Sequence, residues 1–173
     1  MTILAGAVLL AGCVSAPPNL FLHSQMNDNF RASRTEDRII ISLRDKPTPA
    51  EETAIARVRE VFTEAGFRVV TDVTKADRII YFGFAKERVI EEGLAQFNQV
   101  DTVGGKPNIG SYRGLEFYML DTEAIRTDSE PMVWRALVLT TEENFQAQSD
   151  VVLKQVTELY GKEIKAERML KAN

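Results

Sequence analysis

The sequence predicts an α+β fold: a two-layer sandwich in which a mainly antiparallel sheet carries two helices on one face. Several short runs rich in β-branched and aromatic residues are typical of strands, and turn-forming residues separate them. Two amphipathic segments, one near the start and one near the end of this region, are typical of helices. The predicted order of elements is therefore β-α-β-β-β-β-α.

The first strand and the first helix have clear local signals. Arg38 to Leu43 is a β-branched apolar run, and Asp45-Lys46-Pro47 ends it. Thr48-Pro49-Ala50-Glu51 then predicts a helix start with a capping box and proline at the first helical position. Gly66 predicts the left-handed cap at the end of this helix. Apolar residues follow at helical spacing between these two signals, at Ile55, Val58, Phe62 and Ala65.

The remaining elements continue the sheet and close it with a helix. Residues 67–70 predict a short strand, and residues 76–85 a longer, interior strand, because their apolar residues would occupy both faces. Residues 115–120 and 132–139 predict two antiparallel neighbours. A last helix is expected to begin between Thr140 and Ser149. Its apolar face would carry Val152, Val156 and Leu159, with Phe145 and Ile164 as extensions.

The beginning of the chain indicates a membrane anchor. The apolar run Ile3 to Leu10 is followed by Ala11-Gly12-Cys13, which resembles the lipobox of bacterial lipoproteins. The resemblance implies that residues 1–12 are a signal peptide cleaved between Gly12 and Cys13. It also implies that Cys13 carries a diacylglyceryl group on sulfur and an acyl chain such as palmitate on its amine. Such a protein is anchored to the membrane by lipid and does not span it.

Two further inferences concern the mature amino terminus. The absence of Asp at Val14 and Ser15 resembles lipoproteins that reside in the outer membrane facing the periplasm. Residues 13–35 are expected to form a flexible tether because of Pro17, Pro18 and several turn-forming residues, leaving a single domain at 36–173. Three apolar residues of the tether, Phe21, Leu22 and Phe30, are expected to pack back on the domain, and the lone His23 is expected to have no catalytic role.

The folded part resembles a wider group of proteins. It contains Ala-Gly-Phe-x-Val-Val at 65–70, Ala-Asp at 76–77 before an apolar strand, and Val133-Trp134-Arg135 before the last helix. This pattern is similar to small envelope lipoproteins with an anticodon-binding-like sandwich: the curli-secretion lipoprotein, the activator lipoproteins of penicillin-binding proteins and the amino-terminal domain of the Tol propeller protein. It is also similar to a group of small uncharacterised lipoproteins. Trp134 is expected in the core.

Residues 91–110 are interpreted as a long glycine-rich loop between two strands. Loops of this length are often functional, and a purely solvated connector would not need apolar side chains. The loop is therefore the candidate partner-binding segment. Its apolar residues are Leu94, Phe97, Val100, Val103 and Ile109.

Composition and motifs restrict the function. The chain has 45% hydrophobic and 27% charged residues and a net charge of −4, with no basic stripe, which does not favour nucleic-acid binding. One histidine and one lipidated cysteine do not supply a triad or a metal site, and the paired carboxylates are interpreted as caps and solvated faces. We expect no catalytic activity and no cofactor beyond the covalent lipid.

The sequence therefore predicts a lipid-anchored envelope protein that binds other envelope proteins as an adapter, activator or assembly factor. Two alternatives stay open. The first is a structural subunit of a homo-oligomeric secretion or envelope complex. The second is a binder of a lipid or cell-wall fragment, which requires a pocket between the sheet and the helices.

Overall fold

A mixed sheet of seven strands organises the molecule, with helices on both of its faces. The computed structural model describes residues 19–28, 30–43, 45–97, 102–103, 106–107, 109–121 and 132–170. The strands are β1 (Asn19–Met26), β2 (Arg38–Ser42), β3 (Arg68–Val69), β4 (Arg78–Phe84), β5 (Thr102–Val103), β6 (Lys106–Pro107), β7 (Tyr112–Asp121), β8 (Met132–Thr141) and β9 (Ile164–Met169). The α-helices are α1 (Pro49–Glu64), α2 (Glu87–Gln96) and α3 (Glu142–Leu159), and residues Val73–Lys75 form a short 3-10 helix.

The strand order in the large sheet is β3-β2-β4-β7-β8-β1-β9, and β5 pairs only with β6. Strand β2 runs parallel to β3 and β4, whereas the other neighbours are antiparallel. The α+β fold class and the antiparallel pairing of β7 with β8 are confirmed. The interior position of the strand predicted at residues 76–85 is confirmed as well, because β4 lies between β2 and β7.

Helices α1 and α3 share one face of the sheet, as the sequence predicts. The capping signals of α1 are also confirmed, since Thr48 and Glu51 form a capping box and Gly66 has a φ of 88°. Side chains from both helices and from five strands form the main core. Its largest member is Trp134, which is 1% exposed and donates a hydrogen bond from Nε1 to the Leu159 carbonyl over 3.2 Å.

The predicted tether is wrong for residues 19–26, which form β1 between β8 and β9. The reason is that the apolar residues here face both layers. Leu20 and Leu22 enter the main core, whereas Phe21 enters a second core on the opposite face. The expectation that Phe21, Leu22 and Phe30 pack on the domain is confirmed, because all three are buried. Residues 13–18 lie outside the described part of the chain.

The predicted loop at 91–110 is wrong for residues 91–96, which belong to α2. This helix covers the sheet face opposite α1 and α3. Ile90 and Leu94 lie one helical turn apart and pack on Phe21 and Leu139. Gly93 allows the close approach, because a Cβ there would lie 2.6 Å from Leu139 Cδ1. The helix was not predicted because an interior glycine lowers helix propensity, and only the tertiary contact explains why it is present.

The last predicted element also differs from the structure. Helix α3 ends at Leu159, and Ile164 belongs to β9, where alternate residues are half-buried and exposed. Helix α3 is not continuous either, because Gln148 has non-helical angles, with φ at −139° and ψ at 35°. This break divides α3 into a short first part and a longer second part that packs on the core. No helix among the described residues is long and apolar enough to cross a membrane.

Candidate functional site

An apolar groove lies between α1, α3 and the carboxyl end of β4. We define the groove by Leu43, Ala54, Phe82, Phe84, Phe145 and Leu153, which line it together with Val58 and Leu115 and the more polar Glu51, Arg57 and Ser149. Its volume is about 320 Å³. This is within the size range of small-molecule sites, which are usually lined mainly by apolar side chains. The groove is the strongest candidate site on the described surface.

The mouth of the groove exposes an aromatic side chain. Phe84 is the last residue of β4 and is 70% exposed, the largest value among the exposed large hydrophobic residues that the structure describes. The preceding residue on the same face of the strand, Phe82, packs against the main core and stacks on Phe117. The apolar surface therefore continues from the core through the groove to solvent. Burial of Phe84 by a ligand or a partner would be favourable.

The first part of α3 forms one wall of the groove. Phe145 lies on this part, and its ring contacts Phe84. A second recess of about 470 Å³ lies on the other side of this ring pair, lined by Ile90, Arg113 and the two phenylalanines among others. The break at Gln148 separates this part of α3 from Val152, Val156 and Leu159, which are fully buried. Phe145 itself is half-buried and packs against the main core, whereas Phe84 is exposed.

Ion pairs hold the charged rim of the groove. The Arg57 guanidinium on α1 donates to both carboxylate oxygens of Asp150 on α3, at 3.0 and 2.7 Å, and also contacts Glu60. The Arg57 hydrogen bonds lower the pKa of Asp150 and raise the pKa of Arg57 itself. In the second recess Arg113 pairs with Glu142. Both arginines near the groove therefore already have carboxylate partners.

A smaller polar cluster lies on the opposite face of the sheet, beneath α2. His23, Gln25, Glu92, Gln96 and Arg135 line a cavity of about 50 Å³, which has room for water but not for a sizeable ligand. Burial, followed by the positive charges of Arg135 and Lys165, lowers the pKa of His23. The imidazole is consequently neutral at neutral pH. His23 lies in β1 and not in a tether.

Arg135 is fixed beside this cavity by a buried carboxylate. Its Nε donates to Glu116 Oε1 at 2.6 Å, and the Tyr118 hydroxyl donates to Glu116 Oε2 at 2.9 Å. Glu116 is buried, so this network provides the partners that a buried carboxylate needs. The network links β7 to β8 across the sheet. The structure describes no group of three or more His, Cys, Asp or Glu residues able to hold a metal ion within its described ranges.

The predicted partner-binding residues have other positions. Leu94 is 0% exposed in α2, so its prediction as a partner contact is wrong. Phe97 caps the end of α2 and packs on Phe21, with ring centroids 5.1 Å apart, and Ile109 packs on the same second core. The side chain of Val103 and all of Val100 lie outside the description, as do Gly12 and Cys13. The described apolar residues of this segment attach α2 to the sheet.

Paired carboxylates lie at the starts of α1 and α3. Glu51 accepts hydrogen bonds from the Thr48 backbone N–H at 2.8 Å and from its hydroxyl at 2.7 Å, which lowers the pKa of Glu51. Glu142 and Glu143 lie in the first turn of α3. The residues of the groove were not predicted from the sequence, although the alternation of Phe82, Gly83 and Phe84 indicates that the two phenylalanines share one face.

No protein-family model matches the chain, and no curated protein matches it in sequence. Solved structures give distant matches. The PelC dodecamer from Paraburkholderia phytofirmans has 13% identity over 84% of this chain and 99% of its own, with a TM-score of 0.47. A DUF4136 family protein from Bacteroides thetaiotaomicron has 13% identity over 80% of this chain and 92% of its own, with a TM-score of 0.47.

A third match is a PDZ domain protein from Parabacteroides distasonis. It has 13% identity over 87% of this chain and 39% of its own, with a TM-score of 0.45. At this identity and with TM-scores below 0.5, these likenesses do not support the transfer of a function.

Proposed function

We propose that this protein is a lipid-anchored component of the bacterial envelope that acts by binding another protein in the apolar groove. The anchor is supported by the lipobox-like sequence that ends at Cys13, and the outer membrane by Val14 and Ser15. The observation that carries the binding role is Phe84, which is 70% exposed beside an apolar groove of about 320 Å³. The proposed partner site is thus the groove, and not residues 91–110 as the sequence predicts.

A binding role is more consistent with this site than catalysis. The groove lining is mainly apolar, and its hydroxyl-bearing residue Ser149 has no histidine nearby, because His23 lies under α2 on the other face of the sheet. A serine nucleophile needs an adjacent base. Apolar grooves of this kind are used to recognise the apolar side chains of a peptide segment or helix.

Site-specific photo-crosslinking in intact envelopes tests the proposal. A photoreactive amino acid replaces Phe84 in the full-length lipidated protein, and the matched control carries it at Val73, which is 52% exposed outside the groove. We expect a protein adduct of defined mass from position 84 and none of that mass from position 73. Adducts with only a second copy of the chain would support the oligomeric-subunit alternative instead. The same adduct from both positions would refute a groove-specific partner.

Binding of the purified partner then provides the quantitative test. We expect Phe84→Asp to weaken binding at least about tenfold, which corresponds to about 1.4 kcal/mol. Val73→Asp is the control and should bind like the wild type. Circular dichroism of both variants shows whether the fold is retained. Equal affinity of Phe84→Asp and wild type would contradict the proposal.

A second candidate function is binding of a lipid acyl chain, which the groove volume and its apolar lining favour. Titration with a dansyl-labelled fatty acid tests it. Ala54→Leu would fill the groove, whereas Ala50→Leu changes an exposed residue of the same helix that does not line it. Saturable binding that only Ala54→Leu removes would support this candidate. Absence of saturable binding to the wild type would exclude it.

A further inference from the structure

We infer that the occupant of the groove is an amphipathic segment of a membrane protein, apolar with basic side chains, that emerges at the bilayer surface beside the lipid anchor. This inference rests on the proposed function and adds the chemistry and location of the partner. It depends on three observations: the short distance along the chain between the anchor and β1, the end of the sheet where the groove opens, and the shape and charge of its rim.

The anchor lies close to the sheet along the chain. Five residues separate Cys13 from Asn19, the first residue of β1. An extended chain advances at most about 3.3–3.6 Å per residue, so the six steps from Cys13 to Asn19 span no more than about 22 Å. A lipidated Cys13 therefore holds the start of β1 within about 22 Å of the bilayer surface.

The groove opens at this same end of the sheet. Strand register places Phe21 opposite Leu139, Leu139 opposite Gly114, and Leu115 opposite Phe84. The start of β1 and the end of β4 are thus three strand spacings apart, or about 14 Å. Both lie at one end of the sheet, so the anchor that holds β1 near the bilayer also holds the groove mouth near it.

The shape of the site favours a protruding segment over the bilayer itself. A bilayer surface is nearly flat on this scale, so it can touch Phe84 but cannot fill a recess of about 320 Å³. A peptide segment can insert apolar side chains into the recess and cover Phe84. The membrane-proximal part of a neighbouring membrane protein lies at the bilayer surface, and the lipid anchor holds the groove mouth near that surface.

The charge of the rim indicates which segment fits. Glu51 borders the groove and Glu87 the second recess, and neither forms an ion pair with another described residue. Arg57 and Arg113 are already paired with carboxylates, as described above. Lysine or arginine beside the inserted apolar side chains would complement this negative rim.

Changing the distance between anchor and domain tests the inference. A semi-rigid helical spacer of four EAAAK repeats, inserted between Ser15 and Asn19, lifts the domain by about 30 Å. The matched control is a Gly/Ser spacer of the same length, which is flexible and lets the groove return to the bilayer. Both are inserted into the lipidated protein that carries the photo-crosslinker at Phe84.

We expect the rigid spacer to reduce the partner adduct at least fivefold and the flexible spacer to retain most of it. Peptide mapping should place the crosslink in a basic amphipathic segment immediately outside a membrane span. An adduct unaffected by the rigid spacer would overturn the inference while leaving the proposed function intact. Adducts with lipid alone would overturn it in favour of the bilayer. Without any adduct in the unextended protein, the proposed function itself fails.

Discussion

The ring of Phe145 meets the ring of Phe84 edge to face, with centroids 5.8 Å apart and an interplanar angle of 61°. Phe84 is the last residue of β4 and pairs with Leu115 of β7, since the pairing of β4 with β2 ends at Tyr81. Phe145 belongs to the short part of α3 before the break at Gln148. The groove is therefore bounded by an exposed aromatic residue at a strand end and a half-buried aromatic residue that packs against the main core.

Phe84→Ser is expected to separate function from stability. Because Phe84 is 70% exposed, its replacement should change the free energy of unfolding by no more than about 0.5 kcal/mol, while the affinity for the purified partner falls at least about tenfold. Urea unfolding followed by the fluorescence of the single tryptophan, Trp134, measures stability. Val73→Ser should leave both properties unchanged. A large loss of stability in Phe84→Ser would show that this side chain has a structural role.

Trp134→Ala should be among the most destabilising substitutions. The side chain is 1% exposed, contacts Tyr160 and bonds to the Leu159 carbonyl, so its removal leaves a cavity and an unpaired carbonyl. We expect a loss of about 3–5 kcal/mol in the free energy of unfolding. Urea unfolding monitored by circular dichroism provides the measurement. Trp134→Phe should lose less, and a result below about 1 kcal/mol for Trp134→Ala would contradict the described packing.

His23 should titrate below the ordinary range of a histidine. Burial and the charges of Arg135 and Lys165 lower its pKa in the folded state, whereas the unfolded chain takes up a proton near pH 6.5. The contribution of neutral His23 to the free energy of unfolding is therefore fully present above about pH 6.5. It decreases as pH falls from there through the lower pKa of the folded state. His23 is the only histidine, so its NMR titration is unambiguous. A measured pKa above 6.5 would contradict the described environment.

Asp77 should make an acid-dependent contribution to stability. Its carboxylate accepts hydrogen bonds from the Arg38 guanidinium and from the Arg38 backbone N–H, which lower the pKa of Asp77 to about 2. The contribution is present above the unfolded pKa near 3.9 and is lost as pH falls from there toward 2. Comparing urea midpoints of wild type and Asp77→Asn across this interval measures it. The difference between the two proteins should shrink as pH falls, and a constant difference would refute the assignment.

Gly161 and Gly66 form a matched pair for testing steric fit. Both have positive φ, but a Cβ at Gly161 would lie 2.3 Å from Ala32 Cβ, whereas one at Gly66 meets nothing within 4 Å. Gly66→Ala should cost about 1–2 kcal/mol from backbone strain alone. Gly161→Ala should cost about 1–3 kcal/mol more because neighbouring backbone must move. If urea unfolding gave equal losses in the free energy of unfolding for the two variants, Ala32 would be shown to move aside at little energetic cost.

Local signals explain why part of the fold could be predicted from the sequence. The capping box of Thr48 and Glu51 and the positive φ at Gly66 depend only on neighbouring residues, so pattern and propensity were sufficient. Strand β1 was missed because only three consecutive apolar residues mark it and its partners lie far along the chain. Helix α2 was missed because its stability depends on how Gly93 meets β8.

The groove could not be predicted for a related reason. Alternation places Phe82 and Phe84 on one face of β4, and the pattern alone predicts that both are buried. The structure buries Phe82 more deeply than Phe84, because the end of β4 extends beyond the helix packing that covers the rest of that face. Exposure at a strand end depends on where neighbouring helices begin and bend, here at Gln148.

The position of β1 has a consequence for biosynthesis. Its hydrogen-bonding partners, β8 and β9, span Met132–Thr141 and Ile164–Met169, so β1 remains without partner strands until the ribosome has made nearly all of the chain. Contacts between such distant segments slow folding, because a long loop must close before they form. The strand nearest Cys13 is thus synthesised among the first and paired among the last. Its apolar side chains are therefore open to aggregation until those partner strands have been made.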